Sequence, residues 1–223
     1  MDNQPRIPSY AFSKIRDAEL EGLVQIEKVI DKGKFDSWFA DTSPISSDID
    51  DFLHALILDN EDLIYDYNEE DLKIYFIAPL LNKINFKVPE LNIRGFYEHK
   101  IVYQTEAFIL SGTTDFVVSE GLLKSKKPYF FLQEFKRAED FSNPRPQLLA
   151  ELLSAVELND WQHIKGVYVI GSQWFFVMLE KLGVNQYQYV VSKAYDCINI
   201  IELRLIYQYL SFVKQEIIAK ISA

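Results

Sequence analysis

Three charged residues stand inside segments whose composition otherwise describes buried β-strands. Asp115 lies in GTTDFVV, and Glu134 and Lys136 lie in YFFLQEFK. Burying an unpaired charge is costly, so charges in such positions are expected to be paired with one another or with a metal ion. Glu134 and Lys136 are two residues apart. In an extended strand both side chains therefore leave the same face, with Phe131, Gln133 and Phe135 on the other. If a hairpin over 119–127 joins the strand of Asp115 to this one, the second carboxylate reaches the same patch. Two carboxylates and an ammonium suit a hard divalent cation, Mg²⁺ or Mn²⁺, whose remaining positions go to water and a substrate phosphate. Such an ion polarises phosphorus and acidifies bound water, while the lysine orients that water and stabilises developing charge. The chemistry implied is phosphodiester hydrolysis.

The elements that must position these residues follow from periodicity. Ile15, Leu20, Leu23, Val24, Ile26 and Ile30 predict an amphipathic helix over 10–35, ending near Gly33. Residues 38–48 read as a loop, and 48–60 as a helix with an acidic first turn. A long helix is predicted over 69–84, kinked or shortened by Pro79. From residue 96 the chain turns β-rich and aromatic, with Ser111-Gly112 as a turn signal, a polar tip at EGLLKSKKP, and a strand over 129–136 covered on both faces. NPRPQLLAELLSAVEL opens with prolines suited to a first helical turn. IKGVYVIGS, QWFFVMLE and YQYVVSKAY read as strands, and a long helix runs from Ile198 onward. After residue 66 the order is helix, three strands, helix, two or three strands, helix, which predicts an α/β sandwich with a mixed sheet and flanking helices.

Of 223 residues, 48% are hydrophobic and 25% charged, the balance of a soluble globular chain with one large domain or a core plus an extension. No apolar run reaches the roughly 18 residues a membrane span needs, and the N-terminus lacks a signal-peptide layout. The single cysteine, Cys197, permits neither an internal disulfide nor a cysteine-based zinc site, so a reducing cytoplasm is the expected compartment. Residues 1–70 hold 17 acidic against 6 basic side chains, a balance of −11, and the remaining 16 acidic against 17 basic give +1. A net charge of −10 argues against broad coating of duplex nucleic acid and leaves a local site in the near-neutral remainder open. The acidic third reads as a solvated helical surface, or as a docking face for a basic protein.

Asp115, eighteen intervening residues, then Glu134-Phe135-Lys136 resembles the signature of the PD-(D/E)xK nuclease superfamily, the restriction-endonuclease-like fold. A helix with Gln147 near its start follows the E-x-K strand, as that family has it. EEDLKIYFIAPLL resembles the preceding helix in nucleases related to the N-terminal part of type I restriction subunits, with Glu69 in the best register and its neighbour Glu70 as the alternative one residue on. Thr114 stands before Asp115 where many members have proline. The resemblance covers about 69–171. It implies a mixed central sheet flanked by helices at 67–223, with an acidic helical extension at 1–66, and Mg²⁺- or Mn²⁺-dependent cleavage of DNA, with RNA as the lesser alternative. It further implies Asp115, Glu134 and the Phe135 carbonyl as metal ligands, Lys136 beside the attacking water, and Glu69 and Gln147 in support. Many members act as dimers, so a homodimer is an open expectation.

Lys124, Lys126, Lys127, Arg137 and Arg145 form the densest basic stretch, flanking the three charged residues in sequence. They read equally as phosphate contacts or as a soluble hairpin tip with its surroundings. His54, His99 and His163 lack metal-ligand spacing, and no dinucleotide, Walker or G-x-S-x-G pattern occurs. Two competing readings stay beside the nuclease: a non-catalytic member of the same fold acting as a binding module, and a nuclease that depends on a partner at its acidic third.

Overall fold

A computed structural model describes residues 7–40, 44–137 and 143–222. Its centre is a mixed nine-stranded sheet in the order β1 (Ser9–Ala11), β4 (Ile109–Glu120), β5 (Lys126–Lys136), β6 (His163–Ile170), β7 (Gln173–Gly183), β8 (Gln186–Val191), β2 (Gln25–Lys28). β3 (Ile93–Gln104) pairs with β4, and the short β9 (Tyr195–Asp196) with β7. The β1–β4, β5–β6 and β2–β8 pairs are parallel and the others antiparallel.

Helices cover both faces. On one lies α6 (Pro144–Asn159), packed with Phe12, Leu20, Val24, Leu132 and Val117 in a single apolar cluster. On the other lie α3 (Ser47–Leu58), α5 (Ala78–Ile84) and α7 (Ile200–Ser222), whose cluster takes in Phe116, Phe131, Phe135 and Phe176 of the strands. Strand parity explains the partition. Leu132 and Phe131 are neighbours in sequence and belong to opposite cores.

Two local devices fix α6 against β5. The Asn159 side chain donates to the Tyr129 carbonyl at 2.7 Å and accepts the Tyr129 N–H at 3.0 Å, pinning the helix end to the strand's start. Gly166, paired with Leu132 across the sheet, leaves room for Leu152; a Cβ there would stand 2.9 Å from Leu152 Cδ2.

The expected helix over 10–35 is not what forms. A short α1 (Asp17–Leu23) ends at Val24, which is extended (φ −144°, ψ 157°), and the chain continues as edge strand β2. Val24 and Ile26, spaced by two, satisfy a strand as well as a helix, and the open edge of β8 supplies hydrogen bonds that decide between them. Ile30, counted on the apolar face of that helix, is exposed. The first third is therefore part helix and part strand; Phe12, Ile15, Leu20, Val24 and Ile26 enter the α6-side core, and Phe35, Trp38, Leu53, Leu56 and Ile57 the opposite one. Within 38–48, read as loop, α2 (Asp36–Phe39) and the start of α3 intrude, and residues 41–43 lie outside the described ones.

Ser111-Gly112 is likewise no turn. Both residues lie inside β4, and the chain reverses at 105–108, where the Thr105 hydroxyl accepts the Ala107 and Phe108 N–H groups. Gly112 serves a close approach instead, since a Cβ would meet the Phe12 side chain at 2.7 Å.

The predicted helix over 69–84 forms as three joined pieces: α4 (Glu69–Asp71), a π-helical turn Leu72–Ile77, and α5. Pro79 cannot donate to an upstream carbonyl. The chain answers with the wider π turn just before it, where the Ala78 N–H reaches back five residues to the Lys73 carbonyl. From β3 onward, helices and strands follow the predicted order. Among the described residues no helix is long and apolar enough to cross a membrane.

Candidate functional site

The free edge of β4 is divided between two partners. β3 runs along one edge from Ile109 to Glu120. On the other edge β1 takes Ile109–Ser111, and β5 takes Phe116–Glu120. Residues 112–115 thus face an opening in the sheet, and Asp115 is the residue at which the β4–β5 ladder stops. Its carboxylate stands in for the missing strand: Oδ2 accepts the Phe135 N–H at 2.7 Å. In a strand the N–H and C=O of one residue point to the same edge. Lys136 turns its carbonyl to the β6 side, where it accepts the Gly171 N–H. The Phe135 carbonyl therefore faces the opening beside Asp115.

Glu134 and Lys136 leave β5 on the α6 face, as strand parity requires, together with Asp115 from β4. Glu134 Oε1 lies 3.0 Å from Lys136 Nζ, and Glu69 Oε2 approaches the same ammonium at 3.2 Å. The Glu134 contact is an ion pair without hydrogen-bond directionality. Both Glu134 oxygens are buried; Oε1 is met by the Lys136 ammonium, and the carboxylate stands against that of Asp115. The neighbouring Glu70 turns away to Lys73 at 3.1 Å, so Glu69 is the carboxylate that the helix offers here. Lys73 also meets Glu98 at 2.6 Å, on a β3 residue with φ +52° opposite Asp115.

From α6 come Gln147 and a residue the sequence reading did not single out, Glu151. The latter is wholly buried; Oε1 accepts Gln147 Nε2 at 3.2 Å and Oε2 has no partner. A signal for it exists in the sequence. PQLLAELLSAV is apolar on nearly all sides, so any acid within it must be buried, and Gln147 and Glu151 sit at i,i+4 on one face.

Burial is the main electrostatic force on these groups. It pushes the Asp115 carboxyl up to about 6, against the opposing pull of the Phe135 N–H and Lys136. Glu134 is raised well above the usual carboxylate range by burial and then by the charge of Asp115. Glu151 is raised likewise by burial and the charge of Glu134. For Lys136 burial alone would lower the ammonium's pKa, yet Glu134, Glu69 and Asp115 outweigh it and hold the group firmly protonated.

The expected basic contacts do not gather around this cluster. Lys124, Lys126 and Lys127 occupy the far end of the β4–β5 hairpin. Lys126 pairs with Glu120, and the path from Lys126 to Glu134 spans eight residues of strand, about 26 Å. Arg145, at the start of α6, is held by Asp17 at 2.7 Å. Only Arg137, exposed and adjacent to Lys136, stays near. His54, His99 and His163 are not part of the cluster.

No protein-family model matches this chain, and no curated protein matches it. Among the described residues no three His, Cys, Asp or Glu side chains are grouped closely enough to hold an ion by themselves. A Mg²⁺-type site does not require three, because that ion commonly takes one or two carboxylates and completes its shell with water and substrate phosphate. The donor set here fits that pattern: a carboxylate at the strand opening, a carbonyl facing it, and a second, buried carboxylate beside them.

Proposed function

We propose that this chain is a Mg²⁺- or Mn²⁺-dependent nuclease of restriction-endonuclease-like fold that hydrolyses phosphodiester bonds of DNA, with RNA as the lesser alternative. One observation carries the reading. Where the β4–β5 ladder opens, Asp115 and the buried Glu134 converge on a single ammonium, that of Lys136. Adjacent buried carboxylates that share one counter-charge are expensive to keep ionised, and a divalent cation is the partner that relieves them.

In this proposal Asp115, Glu134 and the Phe135 carbonyl hold the ion, which when bound supplies Lewis acidity and an acidified water. Lys136, kept protonated by three carboxylates, orients the nucleophilic water and offsets charge developing on the phosphate. Glu69 fixes the ammonium from the helix side. Gln147 holds Glu151, on whose carboxyl the charge of Glu134 bears. Arg137 is the basic residue placed to meet a backbone phosphate. Cys197, buried and unpaired, suits the reducing cytoplasm also proposed for the chain.

The test is Mn²⁺ titration calorimetry on the wild type and on Glu134→Ala, followed by plasmid cleavage. Binding lost in the variant, with cleavage lost alongside, supports the proposal; a wild type that binds no Mn²⁺ refutes it. The non-catalytic alternative draws on one observation too. Glu69, Lys136 and Glu134 form a continuous ion-paired chain that satisfies the lysine without any metal. Under that reading Glu134→Ala leaves the biological role intact.

A further inference from the structure

Away from this cluster, the surface between α3 and the π turn has an unusual composition. Leu58, Leu63, Tyr65, Ile74 and Tyr75 are each more than half exposed. Tyr75 lines a groove of about 280 Å³ together with Phe52, Ala55, Asp59, Tyr67 and Pro79, and the other four belong to the same or adjoining segments. Leu58 lies three residues from Ala55 on the same side of α3, and Leu63 and Tyr65 sit on the loop between the groove residues Asn60 and Tyr67. The floor is fixed rather than loose. The Tyr67 hydroxyl donates to Asn60 Oδ1 at 2.8 Å, and Asn60 Nδ2 donates to the Leu56 carbonyl at 2.8 Å.

One side of the rim is acidic, while Lys83 stands over the Phe52 ring at 5.3 Å on the other. From residue 59 to residue 71 the chain has seven acidic side chains and no basic one. Glu69 and Glu70 are taken by Lys136 and Lys73, whereas Asp59, Glu61, Asp62, Asp66 and Asp71 have no ion-pair partner among the described residues. Burial, then Tyr75, and after them Asp71 and Asp59 disfavour ionisation of the Tyr67 hydroxyl, which places these two acids near its ring.

We propose that this groove docks a basic amphipathic helix of a partner protein, whose apolar stripe fills the groove and whose lysines or arginines meet the acidic rim. Exposed apolar patches rimmed by polar groups mark association surfaces, and helix-in-groove binding uses anchors at i, i+3 and i+4. Charge selects among occupants. Nucleic acid and anionic membrane are repelled. A second copy meeting the patch through a two-fold axis would set acids against acids. The inference stands independently of the nuclease proposal.

The test is fluorescence anisotropy on the full chain with a labelled Leu/Lys peptide patterned as an amphipathic helix, beside a scrambled peptide of identical composition. The patterned peptide is expected to bind at least about tenfold more tightly than the scrambled one, with the preference weakening as salt rises. Leu63→Ser with Tyr75→Ser, and separately Asp59→Lys with Asp62→Lys, should each remove most of that preference. Leu182→Ser with Val184→Ser, exposed apolar residues at the β7–β8 turn, should leave it unchanged. Equal binding of both peptides, no binding of either, or an equal loss in the control variant would overturn the proposal. So would light scattering that shows the patch variants abolishing a homodimer.

Discussion

Asp115→Asn should make this protein more stable in the absence of metal, and by an amount that depends on pH. The Asp115 carboxyl is raised from 3.8 to about 6, chiefly by burial. The folded state therefore binds a proton that the unfolded chain has already released. Between about pH 4 and 6 wild-type stability falls as pH rises, and above 6 the whole penalty is present. At ~1.4 kcal/mol per pKa unit, a rise of about two units corresponds to about 3 kcal/mol. Asparagine has no charge to bury and can still accept the Phe135 N–H through its side-chain oxygen. Urea denaturation in EDTA at pH 4, 6 and 8 is the assay. The variant should match the wild type within about 1 kcal/mol at pH 4 and exceed it by about 2–3 kcal/mol at pH 8. A variant that is no more stable at pH 8, or whose advantage does not grow with pH, would show that Asp115 is not held charged against its surroundings, and the metal-site reasoning would lose its electrostatic basis.

Mn²⁺ affinity should climb from pH 6 to 8, because the ion must displace protons from Asp115 and Glu134; calorimetry in two buffers of different ionisation enthalpy should report net proton release, and buffer-independent heats would contradict it. Lys136→Met strands Glu134 in the interior, so stability at pH 8 should drop by about 3 kcal/mol, and by less as pH falls, because burial raises the Glu134 carboxyl and favours its protonated form; urea melts at pH 5 and 8 decide this. Gly166→Ala should cost about 1–3 kcal/mol by pushing Leu152 and α6 off the sheet, measured by thermal unfolding, with a neutral result refuting the close approach.

The part of the site that lies on strands was legible because a strand has one unambiguous rule. Period-two alternation placed Glu134 and Lys136 on one face and Phe131 and Phe135 on the other, and the two cores divide in that way. Where two periods compete, the reading failed. Apolar spacing over 15–30 could not foresee that the edge of β8 would claim Gln25–Lys28. The basic residues failed for a different reason. Nearness in sequence is not nearness in space along a hairpin, and Lys124, Lys126 and Lys127 are carried away from Glu134 by the full length of β5. Glu69 illustrates a third case. A regular 100° wheel aligns it with the core residues Phe76 and Leu80, but the π turn Leu72–Ile77 intervenes and breaks that phase. Glu69 then reaches Lys136 while Phe76 and Leu80 stay buried.

Charge balance at the cluster favours the metal-binding proposal over a structural ion pair. A buried ion pair is tolerable when each charge has its counterpart. Around Lys136 that account closes with one carboxylate, or two if the half-exposed Glu69 is counted. Asp115 and Glu151 are then surplus. Each is buried, each is raised above its ordinary range first by burial, and Glu151 has an oxygen with no partner. A fold selected only for stability would lose free energy by keeping them. Leucine or glutamine at 151 would pack in α6 without the penalty, and asparagine at 115 would still cap the Phe135 N–H. Carboxylates held against their own titration make sense where a divalent cation supplies the missing positive charge, since the interior that disfavours the bare anions strengthens their hold on the ion. The same logic accounts for the placement of Glu151 behind Glu134. Burial and then the charge of Glu134 favour the protonated form of Glu151, and a cation held by Asp115 and Glu134 would shift it back toward the anion.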